Sequence, residues 1–358
     1  MTHVNQTRSA DGSSSKASVE YRFSPEFEEF LATHELSLIV STYQAGQLVM
    51  IGTHGGEIVV DFEPFDRPMG LAYSPNWIAV ATRQQMWFLV AHHSIASELA
   101  PNHRYQKAFL ARKSTWTGDV QAHELGWAGD EIIFVNTSFS CLCKLHNEFS
   151  FIPEWRPPFI SGLASEDRCH LNGVAFADGE PLFVTAMSRT DSPAGWRANK
   201  LSSGELLSVP DGETVLGGLC MPHSPRIHAG EVWLLNSGAG QLLKIQPESG
   251  VAEVVATLPG YTRGLAMFGA YGLIGLSKIR ETAVFGGVPI SKQYDSLKCG
   301  LAIIELATGK MVGNFEFLSG VEEIFDLIIV PKTRALALAG PSPTPENPTI
   351  WIVPQAGT

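Results

Sequence analysis

The sequence predicts an all-β chain closed into a β-propeller of six or seven four-stranded blades, and three observations carry that prediction. Short runs rich in Val, Ile and Leu are bounded by Gly, Ser, Asn or Pro, the pattern of buried strands and turns rather than of helices. The segment from Glu35 to Ala72 repeats in the segment from Glu231 to Ala266, sharing Ala-Gly-Gln-Leu at the same turn. Six segments carry a polar residue three places before the Gly-apolar step of a strand, at Arg67, His123, His170, His223, Tyr261 and Glu323, about fifty residues apart as blades are.

The elements follow in order. Residues 1–20 open with a stretch rich in Ser, Thr, Asn and Gln that lacks an apolar signal region and reads as a disordered tail, leaving 21–358 as a single domain. Ser24-Pro25-Glu26 precedes a short helix over Phe27 to Thr33, placed to plug the ring closure. Strands follow at Leu36 to Ser41, Gln47 to Ile51 and Glu57 to Phe62. A further copy aligns without gaps over His123 to Leu145 and His223 to Ile245, matching the His, Glu131 with Glu231, Asn136 with Asn236 and Lys144 with Lys244. The chain ends on runs at Ile324 to Val330, Arg334 to Ala339 and Thr349 to Val353, which ring closure brings against the first three strands. One shared blade gives six; two three-stranded blades give seven, which accommodates the strands more easily.

Composition excludes several functions. The 358 residues are 44% hydrophobic with eight Trp and nineteen Phe, enough to bury a large core. A net charge of -11 without a Lys/Arg-rich run removes the electrostatic footprint of a nucleic-acid binder. No apolar run reaches the roughly twenty residues of a spanning helix, so no membrane is expected. Five cysteines, at 141, 143, 169, 220 and 299, form no paired framework and fit a reducing compartment, the cytoplasm. Phosphate loops, dinucleotide fingerprints and serine-hydrolase elbows are absent.

Equivalent strand starts in a propeller converge on its axis. His123, His170 and His223 would then share one hole, and three imidazoles suit a divalent transition metal, zinc first, with a position open for water or substrate. Glu323 is a further ligand or general base, Tyr261 a proton donor and Arg67 an anion clamp. Loops on the same face hold Tyr43, Gln44, Arg83, Arg189 and Arg280, with Arg263 in the Tyr261 segment, and several arginines facing one channel suit a carboxylate or phosphate. The competing view is that such strand-start residues only satisfy loop amides and the arginines form surface ion pairs. Two long loops, Met187 to Ser203 with Trp196 and Lys278 to Lys298 with Phe285, make a lid or a partner contact.

The segments Ser41-Thr-Tyr-Gln-Ala-Gly46, Arg67-Pro-Met-Gly70, His170-Leu-Asn-Gly173 and Met221-Pro-His-Ser-Pro-Arg226 resemble a bacterial family of conserved proteins of unknown function, over nearly the whole chain after the tail. At the level of architecture the chain is similar to the gluconolactonase and senescence-marker propellers and to the peptidyl-hydroxyglycine lyase, which hold a divalent metal on the axis. The lyase is similar in using three blade-borne histidines with a Tyr and an Arg nearby. The lactonase group uses Glu, Asn and Asp, whereas histidine dominates here, which points away from calcium and lactone hydrolysis. The expectation is a metal-dependent hydrolase or lyase acting on a small anionic molecule or a peptide terminus. The alternative is a non-catalytic propeller that binds a protein or peptide.

Overall fold

The computed structural model describes residues 2–7, 17–99, 104–278, 286–343 and 348–354. They form six sheets, each contributing one blade to a closed ring. Blade 1 pairs Asp326–Pro331 with Leu36–Ser41, Gln47–His54 and Glu57–Pro64. Blade 2 runs from Leu71–Ser74 through Trp77–Ala81 and Gln85–His92 to Lys107–Trp116. Blade 3 comprises Ala122–Ala128, Glu131–Asn136, Cys141–Lys144 and Ile152–Trp155. Blade 4 comprises Leu171–Ala177, Glu180–Ala186, Gly204–Ser208 and Thr214–Leu219. Blade 5 comprises Pro222–His228, Glu231–Asn236, Gln241–Gln246 and Val251–Thr257. Blade 6 comprises Tyr261–Phe268, Tyr271–Ser277, Cys299–Glu305 and Met311–Phe317, and is extended by Ala17–Phe23 and Thr2–Thr7. The first-named strand of each blade contacts its counterparts in the two flanking blades, so these six strands wall the axis.

Strand periodicity explains why the runs are apolar throughout instead of alternating with polar residues. Successive side chains face opposite sides of a sheet, and both sides of a blade are covered by neighbours. In blade 3, Ile132 and Phe134 pack toward blade 2 while Ile133 and Val135 pack toward blade 4. In blade 5, Val232 and Leu234 face blade 4, and Trp233 and Leu235 face blade 6. One apolar layer lies between each adjacent pair of blades.

Closure uses both ends of the chain and fixes the count at six. Of the C-terminal runs, Asp326–Pro331 supplies the inner strand of blade 1. Leu336–Ala339 leaves that blade and pairs in parallel with Lys107–Trp116 on the outer edge of blade 2. Residues 349–353 form no strand. The runs that favoured seven therefore make no blade of their own.

Helix α1, Pro25–His34, covers this closure. Ser24 caps it by accepting a hydrogen bond from the Phe27 amide at 3.3 Å. Phe27, Phe30 and Leu31 pack among residues of blades 1 and 6, including Leu38, Leu301 and Phe315. Ala17–Phe23 pairs with Met311–Phe317 through Tyr21, Arg22 and Phe23, and Val19, inside the stretch read as a tail, joins the same core.

Candidate functional site on the propeller axis

One mouth of the axis opens into a cavity of about 370 Å3. His123, His170, His223, Tyr261, Arg263 and Glu323 all line it, together with Tyr43 and Gln44 from the first loop of blade 1. The strand-start repeat thus brings these side chains together from blades 3, 4, 5, 6 and 1. His123 and His170 stand edge to face with ring centroids 4.9 Å apart.

Each histidine is anchored through Nδ1. In blade 3, Nδ1 of His123 lies 2.9 Å from the Gln121 carbonyl and 2.8 Å from Thr137 Oγ1. In blade 5, Nδ1 of His223 lies 3.0 Å from the Met221 carbonyl and 3.0 Å from Ser237 Oγ. A carbonyl only accepts, so in both rings Nδ1 carries the proton and Nε2 keeps its lone pair. Burial pushes the pKa of His123 and His223 well below the usual histidine range, and the positive charge of Arg263 lowers both further.

Blade 4 reaches a similar result by another route. Ala122 pairs with Asn136, Pro222 with Asn236 and Leu171 with Ala186, so His170 occupies the register position of Gln121 and Met221, two residues before the other two histidines. All three residues at that position are left-handed, with φ of 51°, 49° and 53° for Gln121, His170 and Met221. Nδ1 of His170 lies 2.9 Å from Asp167, whose Oδ2 also accepts from Trp196 Nε1–H at 2.9 Å. Trp196 is buried against the His170 ring at 4.3 Å, so this loop aromatic backs that ring and is not an exposed contact.

Arg263 is the buried cation of the cavity. Its guanidinium lies over the Phe325 ring at 3.4 Å, and Nη1 stands 3.6 Å from Glu323. Burial lowers its pKa while Glu323, the first of the opposing charges, raises it. Tyr261 places its hydroxyl 3.5 Å from His223 Nδ1, and burial raises the phenol pKa, so the hydroxyl keeps its proton at neutral pH. Near the axis beside these groups, Arg226 pairs with Glu124 at 2.9 Å and faces Asp326 at 3.8 Å.

The other arginines lie elsewhere. Arg67 is exposed, 5.8 Å from the Tyr43 ring, and does not line the cavity. Arg83 is exposed and faces Asp119 at 3.6 Å. Arg189 contacts Glu205 and Thr214 and lies over Phe159, all within or beside blade 4. Arg280 and Phe285 lie outside the described residues. Asn136 and Asn236 serve the backbone, accepting from the amides of Phe139 and Cys220.

Sequence reasoning did not single out Thr137, Ser237, Asp167 or Phe325 as parts of this site. Thr137 and Ser237 had a signal, since both fall at one column of the gapless repeat between blades 3 and 5. Asp167 had only its spacing of three residues before His170.

The donor set fits a divalent metal in its chemistry: Nδ1 is committed behind each ring, and no hydrogen bond from a described residue reaches Nε2. As the side chains stand, no group of three or more His, Cys, Asp or Glu among the described residues is gathered at ligating geometry.

The crystal structure titled "Crystal structure of Nidogen/Laminin Complex" is 8% identical with a TM-score of 0.49, covering 83% of this chain and 99% of that one. A protein of unknown function from Bacteroides caccae is 12% identical with a TM-score of 0.47, covering 82% and 98%. No curated protein matches the chain. A family model matches residues 25–338, from helix α1 to the last strand, and the chain belongs to that family, DUF4915, a domain of unknown function.

Proposed function

We propose that the axial cavity is the active site of a metal-dependent hydrolase or lyase acting on a small anionic molecule or a peptide terminus. One observation carries this reading: three buried histidines from adjacent blades line one cavity, each held from behind at Nδ1. His123, His170 and His223 would hold the metal, zinc first, which when bound supplies an activated water and a Lewis acid.

The chain's own residues do the rest. Asp167, oriented by Trp196, fixes the His170 ring. Tyr261 donates a proton, Glu323 accepts one, and Arg263 binds the anion. The five cysteines are free thiols and buried, which supports a cytoplasmic location. The binding-only alternative leaned on two loop aromatics, Trp196 and Phe285, of which Trp196 is buried and Phe285 lies outside the described residues.

Elemental analysis of the purified protein beside His170→Ala, both reconstituted with zinc, tests the reading. The expected result is about one equivalent in the wild type and its loss in the variant. Zinc-free protein in both samples overturns it.

A further inference from the structure

The buried guanidinium of Arg263 narrows the ligand beyond "anionic". Arg263 is 9% exposed and lines the cavity, and its Nη2 is buried with no hydrogen-bond partner among the described residues. The nearest charge, Glu323, faces Nη1 at 3.6 Å, too far for a hydrogen bond. A buried donor left unmade is costly, and an arginine cannot relieve that cost by losing its proton at neutral pH. Such a donor is completed by an acceptor that enters the cavity.

Two features select the acceptor. Phe325 covers one face of the guanidinium at 3.4 Å, which leaves approach in the plane of its N–H groups, the geometry that a flat carboxylate matches. Glu322 and Glu323 line the cavity together with Arg263 and Lys278, so the formal charges of the lining balance and a monoanion is accepted before a phosphate dianion. Tyr43, Met69, Tyr261 and Phe325 give the cavity apolar wall for the rest of the molecule. We propose that the axial cavity binds a small monocarboxylate with an apolar body, its carboxylate seated on Arg263 Nη2. This deepens the reading of the same cavity as an active site, but it does not need the metal.

Calorimetric titration with benzoate, its neutral isostere benzamide and inorganic phosphate, on both chelator-treated and zinc-supplied protein, separates the two ideas. Benzoate is expected to bind at least tenfold tighter than benzamide and tighter than phosphate, with or without zinc. Arg263→Gln should weaken benzoate at least tenfold, and Arg112→Gln, an exposed arginine of blade 2, should not. The inference is overturned by equal affinity for acid and amide, by phosphate binding tighter than benzoate, by no benzoate binding, or by an unchanged Arg263→Gln. Should Arg263→Gln fail to fold, the acid-to-amide ratio on the wild type decides alone. Benzoate binding in a protein that takes no zinc sinks only the metal; zinc uptake without benzoate binding sinks only this inference.

Discussion

His123 and His223 are held by a carbonyl two residues back and a hydroxyl fourteen residues on, whereas His170 is held by a carboxylate three residues back. The repeat therefore made the three histidines legible in the sequence but hid the register step that sets His170 apart. Asp167 and Trp196 were illegible as a pair because they lie on two different loops, one before the first strand of blade 4 and one after its second, and meet only in the fold. The same limit hid Asp326, which burial and then the charge of Glu124 raise to a pKa of about 7, against lowering by Arg226 and the amides of Leu71 and Leu327. A carboxyl pKa raised above its unfolded value of 3.8 means that the folded state holds the proton more tightly. Its contribution to stability is present at low pH and is lost as pH rises from about 4 to about 7, by up to about 4 kcal/mol. Asp326→Asn removes this slope, so its melting temperature should gain on the wild type between pH 5 and pH 8. A constant difference across that range would contradict the assignment.

At the scale of elements, strand pairing was readable because each run is bounded by turn residues and filled by Val, Ile and Leu. The blade count was not, because parallel pairing of Leu336–Ala339 with blade 2 leaves no mark in a run of four apolar residues. One glycine shows how closely the elements that carry the site approach each other. A Cβ at Gly275, in the second strand of blade 6, would overlap the carbonyl of Arg263 and press on Ile324 of the closing segment. Close-packed interiors accommodate such an atom only by shifting backbone. Gly275→Ala should therefore cost about 1–3 kcal/mol in chemical denaturation and loosen the seat of Arg263. A fully stable variant would mean that this contact is not made.

The whole molecule is a ring in which every blade buries both faces, so its stability depends on the inner strand that joins the two ends. Asp326–Pro331 pairs along its full length with Leu36–Ser41, and Asp326 also accepts from the Leu71 amide of blade 2. It supplies Leu327 to the layer between blades 6 and 1, and Val330 to the layer between blades 1 and 2. Leu336 and Leu338 only extend the second of those layers from outside. A chain ending at Ala335 should still melt cooperatively, with a loss of about 3–6 kcal/mol for two uncovered leucines. A chain ending at Glu322 should lose its cooperative melt altogether and bind a hydrophobic dye, because an open ring exposes two blade faces at once. Circular dichroism melts of the two truncations make the comparison. Equal cooperativity in both would show that blades 2 to 6 stand without closure, and would leave the axial cavity to be explained by an open arc.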